Sequence, residues 1–156
     1  MAAKVTTPAA PTAGMAWVEH VQATLAAAGH RASAPRTAVV EVLARHGCVL
    51  TARDVVSELR GGGREVGTAT VYRALELLEE LGLIQRLEVG EGTARFEPVH
   101  PSGDHHHHFV CDTCGQVSPF EDTGVERAIA RLARRMDHQV GGHDIILRGD
   151  CPACVR

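Results

Sequence analysis

A chain of 156 residues with 44% hydrophobic content is long enough for one ordinary domain or two small ones. With only 3% aromatic residues, a stacking platform for single-stranded nucleic acid is not expected. The formal net charge of −3 argues against a generally basic nucleic-acid binder, so any DNA contact has to come from a local patch.

Residues 1–14, rich in Ala, Pro and Thr, are expected to form a disordered tail. They contain no apolar leader core, and no later segment has the length to span a bilayer, so a soluble cytoplasmic protein is expected. From Met15 to Ala28, apolar residues recur at Val18, Val21, Leu25 and Ala28, one face of a helix that Gly29 ends. A second helix should open near Ser33-Ala34-Pro35 and stop at Gly47. Thr51-Ala-Arg-Asp54 has capping-box spacing and starts a third helix, closed by Gly61-Gly62-Gly63. In the fourth, Val71, Ala74, Leu75, Leu78 and Leu81 line one face, with Thr68 as N-cap and Gly82 just past the end. Two strand-like pieces, Leu83–Val89 and Thr93–Glu97, follow around the turn Gly90-Glu91-Gly92. Short helices followed by a hairpin give the order of a winged helix-turn-helix over residues 15–97.

Pro98, Pro101, Ser102 and Gly103 mark a hinge over 98–104. Residues 105–156 then read as a small α/β unit. It has a strand-rich segment from Phe109 to Phe120, a helix with Val125, Ala128, Ile129, Leu132 and Met136 on one face, and a strand from Asp144 to Arg148. The expected fold class is α+β.

The chemistry is concentrated in that last unit. Two CxxC pairs, Cys111/Cys114 and Cys151/Cys154, supply four soft ligands, a complete tetrahedral set with no open position, which describes structural zinc. In a reducing cytosol such pairs read as metal ligands before disulfides. Cys114 and Cys151 are 37 positions apart, more than the usual tandem spacing, so the strand-helix-strand unit itself has to fill the gap. Cys48 reads as a small buried hydrophobe. The run His105-His106-His107-His108 lies outside this set. On a strand, alternation sends His105 and His107 to one face and His106 and His108 to the other, so one run can serve two metal sites. Candidate partners are Glu97, His100, Glu126, His138 and His143. On the fourth helix, Thr70, Tyr72 and Arg73 occupy the N-terminal turns that meet base edges in helix-turn-helix proteins. Arg31, Arg36, Arg53, Arg86 and Arg95 are candidates for phosphate contacts.

Thr70-Val-Tyr-Arg73, Leu81-Gly-Leu-Ile84, His105-His-His-His-Phe-Val-Cys-Asp-Thr-Cys-Gly115 and Cys151-Pro-Ala-Cys154, in that order, resemble the ferric uptake regulator family over nearly all of residues 20–154. The resemblance implies a homodimeric, metal-dependent transcriptional repressor that binds double-stranded operator DNA, with a C-terminal dimerisation domain. It places structural zinc on Cys111, Cys114, Cys151 and Cys154. A second site in the dimerisation domain maps onto His105, His107, Glu126 and His143, and a hinge sensor site onto Glu97, His106 and His108.

The hinge set departs from the family. Val49 stands where iron and peroxide sensors have a histidine, and Pro119 where many carry an acidic residue. His100 stands close to the cysteine of zinc sensors, and Gln85 or Arg86 near their aspartate. His100 is therefore assigned as the fourth ligand. Four histidine and carboxylate ligands suit tetrahedral zinc, so the sensed metal is read as zinc ahead of iron, as in the zinc uptake branch of the family, although the same ligand types also bind ferrous iron, nickel and manganese. The expected function is a repressor that closes on an inverted repeat when metal binds and controls zinc or iron uptake genes. No membrane contact and no small organic ligand are expected. The alternatives are a redox-responsive regulator of the same architecture working through CxxC, or metal storage. A zinc enzyme is not expected, because neither HExxH nor a deaminase-like HxE motif is present.

Overall fold

The computed structural model describes residues 4–5, 11–46, 49–88, 93–101 and 106–155. The chain divides into two compact units, Pro8–His105 and His106–Arg156 together with Met1–Thr7.

The first unit is helical with a small sheet: α1 (Pro11–Ala27), α2 (Ala34–His46), β2 (Leu50–Thr51), α3 (Ala52–Gly61), α4 (Thr68–Glu80), β3 (Ile84–Glu88) and β4 (Ala94–Pro98). Its apolar stripes converge on one core that includes Trp17, Val21, Leu43, Val55, Leu75 and Leu78. Trp17 is fully buried, and its indole Nε1 donates to the Leu83 carbonyl at 3.2 Å, tying α1 to the entry of the wing 66 residues on. Thr51 caps α3 with the anticipated box: its side chain accepts from the Asp54 N–H while Asp54 accepts from the Thr51 N–H at 2.9 Å. Arg45 and His46, in the last turn of α2, both hold Glu58 of α3. Burial raises the Glu58 carboxyl, but these two hydrogen-bonded partners outweigh it and leave the group below its ordinary range.

Several elements differ from the expectation. The segment 1–14, expected to be a disordered tail, contributes Lys4–Val5 as β1 and the first turn of α1 from Pro11. A two-residue strand needs only main-chain pairing at a sheet edge, and proline is tolerated in a first helical turn, so neither depends on an apolar pattern. The N-cap of α4 is Gly67, with no side-chain cap bond, and Thr68 is the first helical residue. The two-residue β2 adds a third strand to the wing, pairing Leu50 with Phe96 and Thr51 with Arg95. Gly82 takes φ 67° after α4, the left-handed conformation that suits glycine there. The wing turn Gly90-Glu91-Gly92, the stop at Gly47, and Cys48 lie outside the described residues.

The second unit is a sheet of order β1-β6-β5-β7 with one helix: β5 (His107–Cys111), β6 (Val117–Glu121), α5 (Thr123–Arg135) and β7 (Ile146–Gly149). β5 is internal, antiparallel to β6 and parallel to β7. Among its described residues only His107, His108, Val110, Cys111 and Cys151 are buried, so it lacks an apolar core of its own.

Trp17→Phe should lower the unfolding free energy of the winged-helix unit by about 0.5–1.5 kcal/mol, because the indole bond is lost while the Leu83 carbonyl keeps the Val99 N–H at 3.0 Å. Trp17→Ala should cost about 3–5 kcal/mol, through the added cavity. Urea unfolding followed by circular dichroism measures both.

Candidate metal centres and DNA-binding face

The register Cys111↔Gly149 between β5 and β7 ends the two strands side by side. Each strand runs straight into a CxxC turn, and the Asp112 N–H donates to the Gly149 carbonyl at 2.8 Å. In the first turn the Gly115 N–H returns to the Cys111 carbonyl at 2.8 Å, with Gly115 at φ 71°. In the second, the Cys154 N–H returns to the Cys151 carbonyl at 2.8 Å. The Thr113 hydroxyl donates to Asp150 at 2.6 Å and joins the turns. The four sulfurs consequently lie within 4.8 Å of one another.

The electrostatics of this group suit a cation. The Cys111 sulfur accepts backbone N–H groups from Cys151 at 3.3 Å and Cys114 at 3.5 Å. These two bonds, led by Cys151, pull its thiol down to about 6. Cys154 is pushed up to about 12, chiefly by the Cys151 and Cys114 side chains and by burial. Cys114 is also raised, since neighbouring Cys111 and burial outweigh the lowering effect of the Gln116 N–H. One thiolate is readily formed and its neighbours resist ionising beside it, a conflict that a divalent cation resolves.

The second cluster is built from three elements. His107 on β5 is 1% exposed, and its Nε2 lies 2.7 Å from Oε1 of Glu126, in the first turn of α5. His143, in the segment before β7, places Nε2 3.2 Å from the same carboxylate. One donor atom from each of the three lies within 4.8 Å of the others, so two imidazoles and a carboxylate fit a divalent ion. Asp122 fixes where α5 starts, accepting the N–H groups of Gly124 at 2.7 Å and Val125 at 2.9 Å. Phe120 packs its ring 5.4 Å from that of His107. Sequence reading missed both supports, although an Asp just ahead of an apolar-periodic run is a readable N-cap signal. His105 lies outside the described residues. His138 stands apart from the cluster, with Nδ1 2.6 Å from the Met136 carbonyl.

His106, just ahead of β5, and His108, on it, bring their rings to 4.8 Å centroid separation. Alternation along β5 thus pairs His106 with His108 and leaves His107 to Glu126 and His143. Glu97 and His100 belong to the other unit. Glu97 sits on β4 opposite Gln85, whose side-chain amide donates to its carboxylate, and His100 follows the strand, half-buried. Val49 is buried and packs as an aliphatic residue.

On α4, Tyr72 is 49% exposed. The Arg73 guanidinium donates to the Thr70 hydroxyl at 3.3 Å, so the two polar side chains share one turn. Tyr72, Arg53, Arg86 and Arg95 line one groove between α3, α4 and the wing, which Glu76 and Glu79 also border. Arg36 lies elsewhere, at the start of α2, donating to the Arg31 carbonyl at 3.1 Å.

The model of the ferric uptake regulator family matches residues 27–148. The chain belongs to this family. A ferric uptake regulation protein of Legionella pneumophila is 35% identical over 128 residues, covering 81% of this chain and 93% of the relative. One from Bordetella parapertussis is 34% identical, covering 82% and 91%. Among solved structures, the Vibrio cholerae ferric uptake regulator superimposes with a TM-score of 0.75 at 33% identity, covering 85% of this chain and 99% of that one. The Helicobacter pylori ferric uptake regulator, described as having three functional metal-binding sites, gives 0.79 at 25% identity, covering 99% and 97%. Ferric uptake regulators are metal-responsive, DNA-binding transcriptional regulators and not enzymes, and the α+β architecture with an N-terminal winged helix is theirs. Among the described residues no helix is long and apolar enough to cross a membrane.

In the metal-free, reduced protein, ultraviolet thiolate absorbance should show one thiol ionising at about 6, a step absent from Cys111→Ala. Because Cys111 ionises below its ordinary value, its contribution to metal-free stability is complete above that ordinary value and is lost as pH falls through about 6. Melting temperature against pH, wild type minus Cys111→Ala, checks the sign.

Proposed function

We propose that this chain is a cytoplasmic, homodimeric repressor that takes ferrous iron as corepressor and controls iron uptake genes. Cys111, Cys114, Cys151 and Cys154 hold a structural zinc. His105, His107, Glu126 and His143 form one regulatory site, and Glu97, His100, His106 and His108 form the other. The observation that carries the reading is the division of labour along β5: His107 meets Glu126 and His143, while His106 and His108 meet each other edge-on. Three ligand sets correspond in number to the three functional sites described for the Helicobacter pylori regulator. Iron rather than zinc in the regulatory sites is favoured by the relatives, which are ferric uptake regulation proteins, and histidine with carboxylate suits either metal.

Dimerisation is supported by α5 and its surroundings. Leu132 is 49% exposed, Met136 53% and Val140 50%, and Leu147 on β7 is 48% exposed. A helix whose apolar face meets no core within its own unit needs a second surface, and a second copy supplies one. In the dimer the two α4 helices would address successive major grooves about 34 Å apart, on an inverted-repeat operator. Bound metal supplies differential affinity for the relative orientation of the winged helices that fits this spacing. A shift from about 1:99 to 99:1 requires a preference of roughly 5.5 kcal/mol. Glu97, on β4 of the wing, and His106 and His108, just before and on β5, are positioned in sequence on either side of the hinge to sense that orientation.

Gel shifts on an operator fragment with ferrous iron, zinc or chelator should show metal-dependent binding that His106→Ala/His108→Ala abolishes. Binding that survives chelation would sink the corepressor reading. Elemental analysis should find one zinc per chain that resists dialysis and is lost in Cys111→Ser. Arg73→Ala should weaken operator binding by about 1–3 kcal/mol and relax selectivity at one base pair, leaving random DNA binding nearly unchanged.

A further inference from the structure

The second unit carries a feature that neither its metal sites nor its dimer face uses. Arg127, Arg131, Arg134 and Arg135 are all exposed on α5. At 3.6 residues per turn they fall within an arc of about 100°, roughly opposite the apolar stripe of Val125, Ile129, Leu132 and Met136. Among the described residues none of the four makes an ion pair, whereas Arg148 pairs with Asp112 at 3.6 Å. Of the surrounding acids, Asp122 caps α5, Glu126 holds His107 and His143, and Asp150 accepts from Thr113, while Asp137 follows the helix without an ion pair to these arginines among the described residues. Arg134 and Arg135 sit favourably at the C-terminal end of α5, but Arg127 and Arg131, and Arg131 and Arg135, are like charges four apart, a repulsion that a bound anion would relieve. It also stands out from a chain with a formal net charge of −3.

We propose that this face of α5 is a second, sequence-independent docking surface for the phosphate backbone of duplex DNA. The inference rests on the DNA-binding reading above. The stripe is about 12 Å long at 1.5 Å per residue, and a duplex presents roughly seven phosphates over that length. Guanidinium groups match phosphate oxygens in bidentate geometry. The opposite, apolar face is the one assigned to the partner copy, so the arginine face remains outward in the dimer. An amphipathic basic helix also suits an anionic bilayer, but only if its apolar face is free to insert, and the dimer occupies that face.

The test uses the full-length, metal-loaded protein and a random-sequence duplex followed by fluorescence anisotropy against salt. The quadruple variant Arg127→Gln/Arg131→Gln/Arg134→Gln/Arg135→Gln should reduce the slope of log affinity against log salt by up to about 3.6, at roughly 0.9 for each phosphate that an arginine no longer neutralises. The matching quadruple Lys variant should keep most of that slope. In the unaltered protein, duplex should protect these arginines from phenylglyoxal, read by mass spectrometry, which needs no variant to fold. An unchanged slope in the Gln variant, or no protection, overturns the proposal. So does preferential binding of the unaltered protein to phosphatidylserine vesicles over DNA that the Gln variant loses. Arg73→Ala separates the two readings: it should lower operator over random affinity and leave the α5 slope in place. Absence of any DNA binding would overturn the DNA-binding reading itself.

Discussion

The parallel pairing of β5 with β7 is the constraint on which the second unit depends. It sets Cys111 opposite Gly149, so that the strand ending in one CxxC pair and the strand entering the other finish together. Without that register the two cysteine pairs, far apart in sequence, would have no reason to meet. The same strand pairs antiparallel with β6, placing His107 opposite Phe120 and His108 opposite Pro119. One element therefore decides both where the four sulfurs gather and which side each histidine faces.

The two units solve the stability problem differently. The winged helix has a continuous apolar core from Trp17 to Phe96 and a capping box on α3, enough to order it by ordinary burial. The C-terminal unit buries few apolar side chains, and its ordering groups are polar: N–H bonds to Cys111 sulfur, the Thr113–Asp150 bond, and Glu126 between two imidazoles. Small units of this kind gain much of their folding free energy from bound metal and from association. The half of the molecule that carries the candidate cysteine and His107 clusters is thus also the half with the fewest buried apolar side chains among the described residues.

Much of this was legible in the sequence, for identifiable reasons. The helices show themselves through apolar spacing, the start of α3 through Thr51 and Asp54, and the end of α4 through Gly82. The cysteine group and the His107, Glu126 and His143 group follow from ligand type and motif order. What was hidden had little side-chain signal. β1 and β2 are two residues each and exist by main-chain pairing. Gly67 caps α4 without a side chain, leaving Thr68 as a decoy. Trp17 stands four residues before Val21 and eight before Leu25, on the same helical face, so its burial follows that spacing, but its acceptor, the Leu83 carbonyl, is one that no local pattern announces.

That last contact bears on how the protein is made. The chain is synthesised from its N-terminus, yet the indole of the first long helix finds its acceptor only in the wing. During translation α1 and α2 can form and touch, but the tryptophan stays partly wet until residue 83 has cleared the ribosomal tunnel. The indole N–H of α1 therefore goes without its native acceptor until the wing is made, and a ribosome stalled within α4 would hold a chain in which that donor is still unmatched.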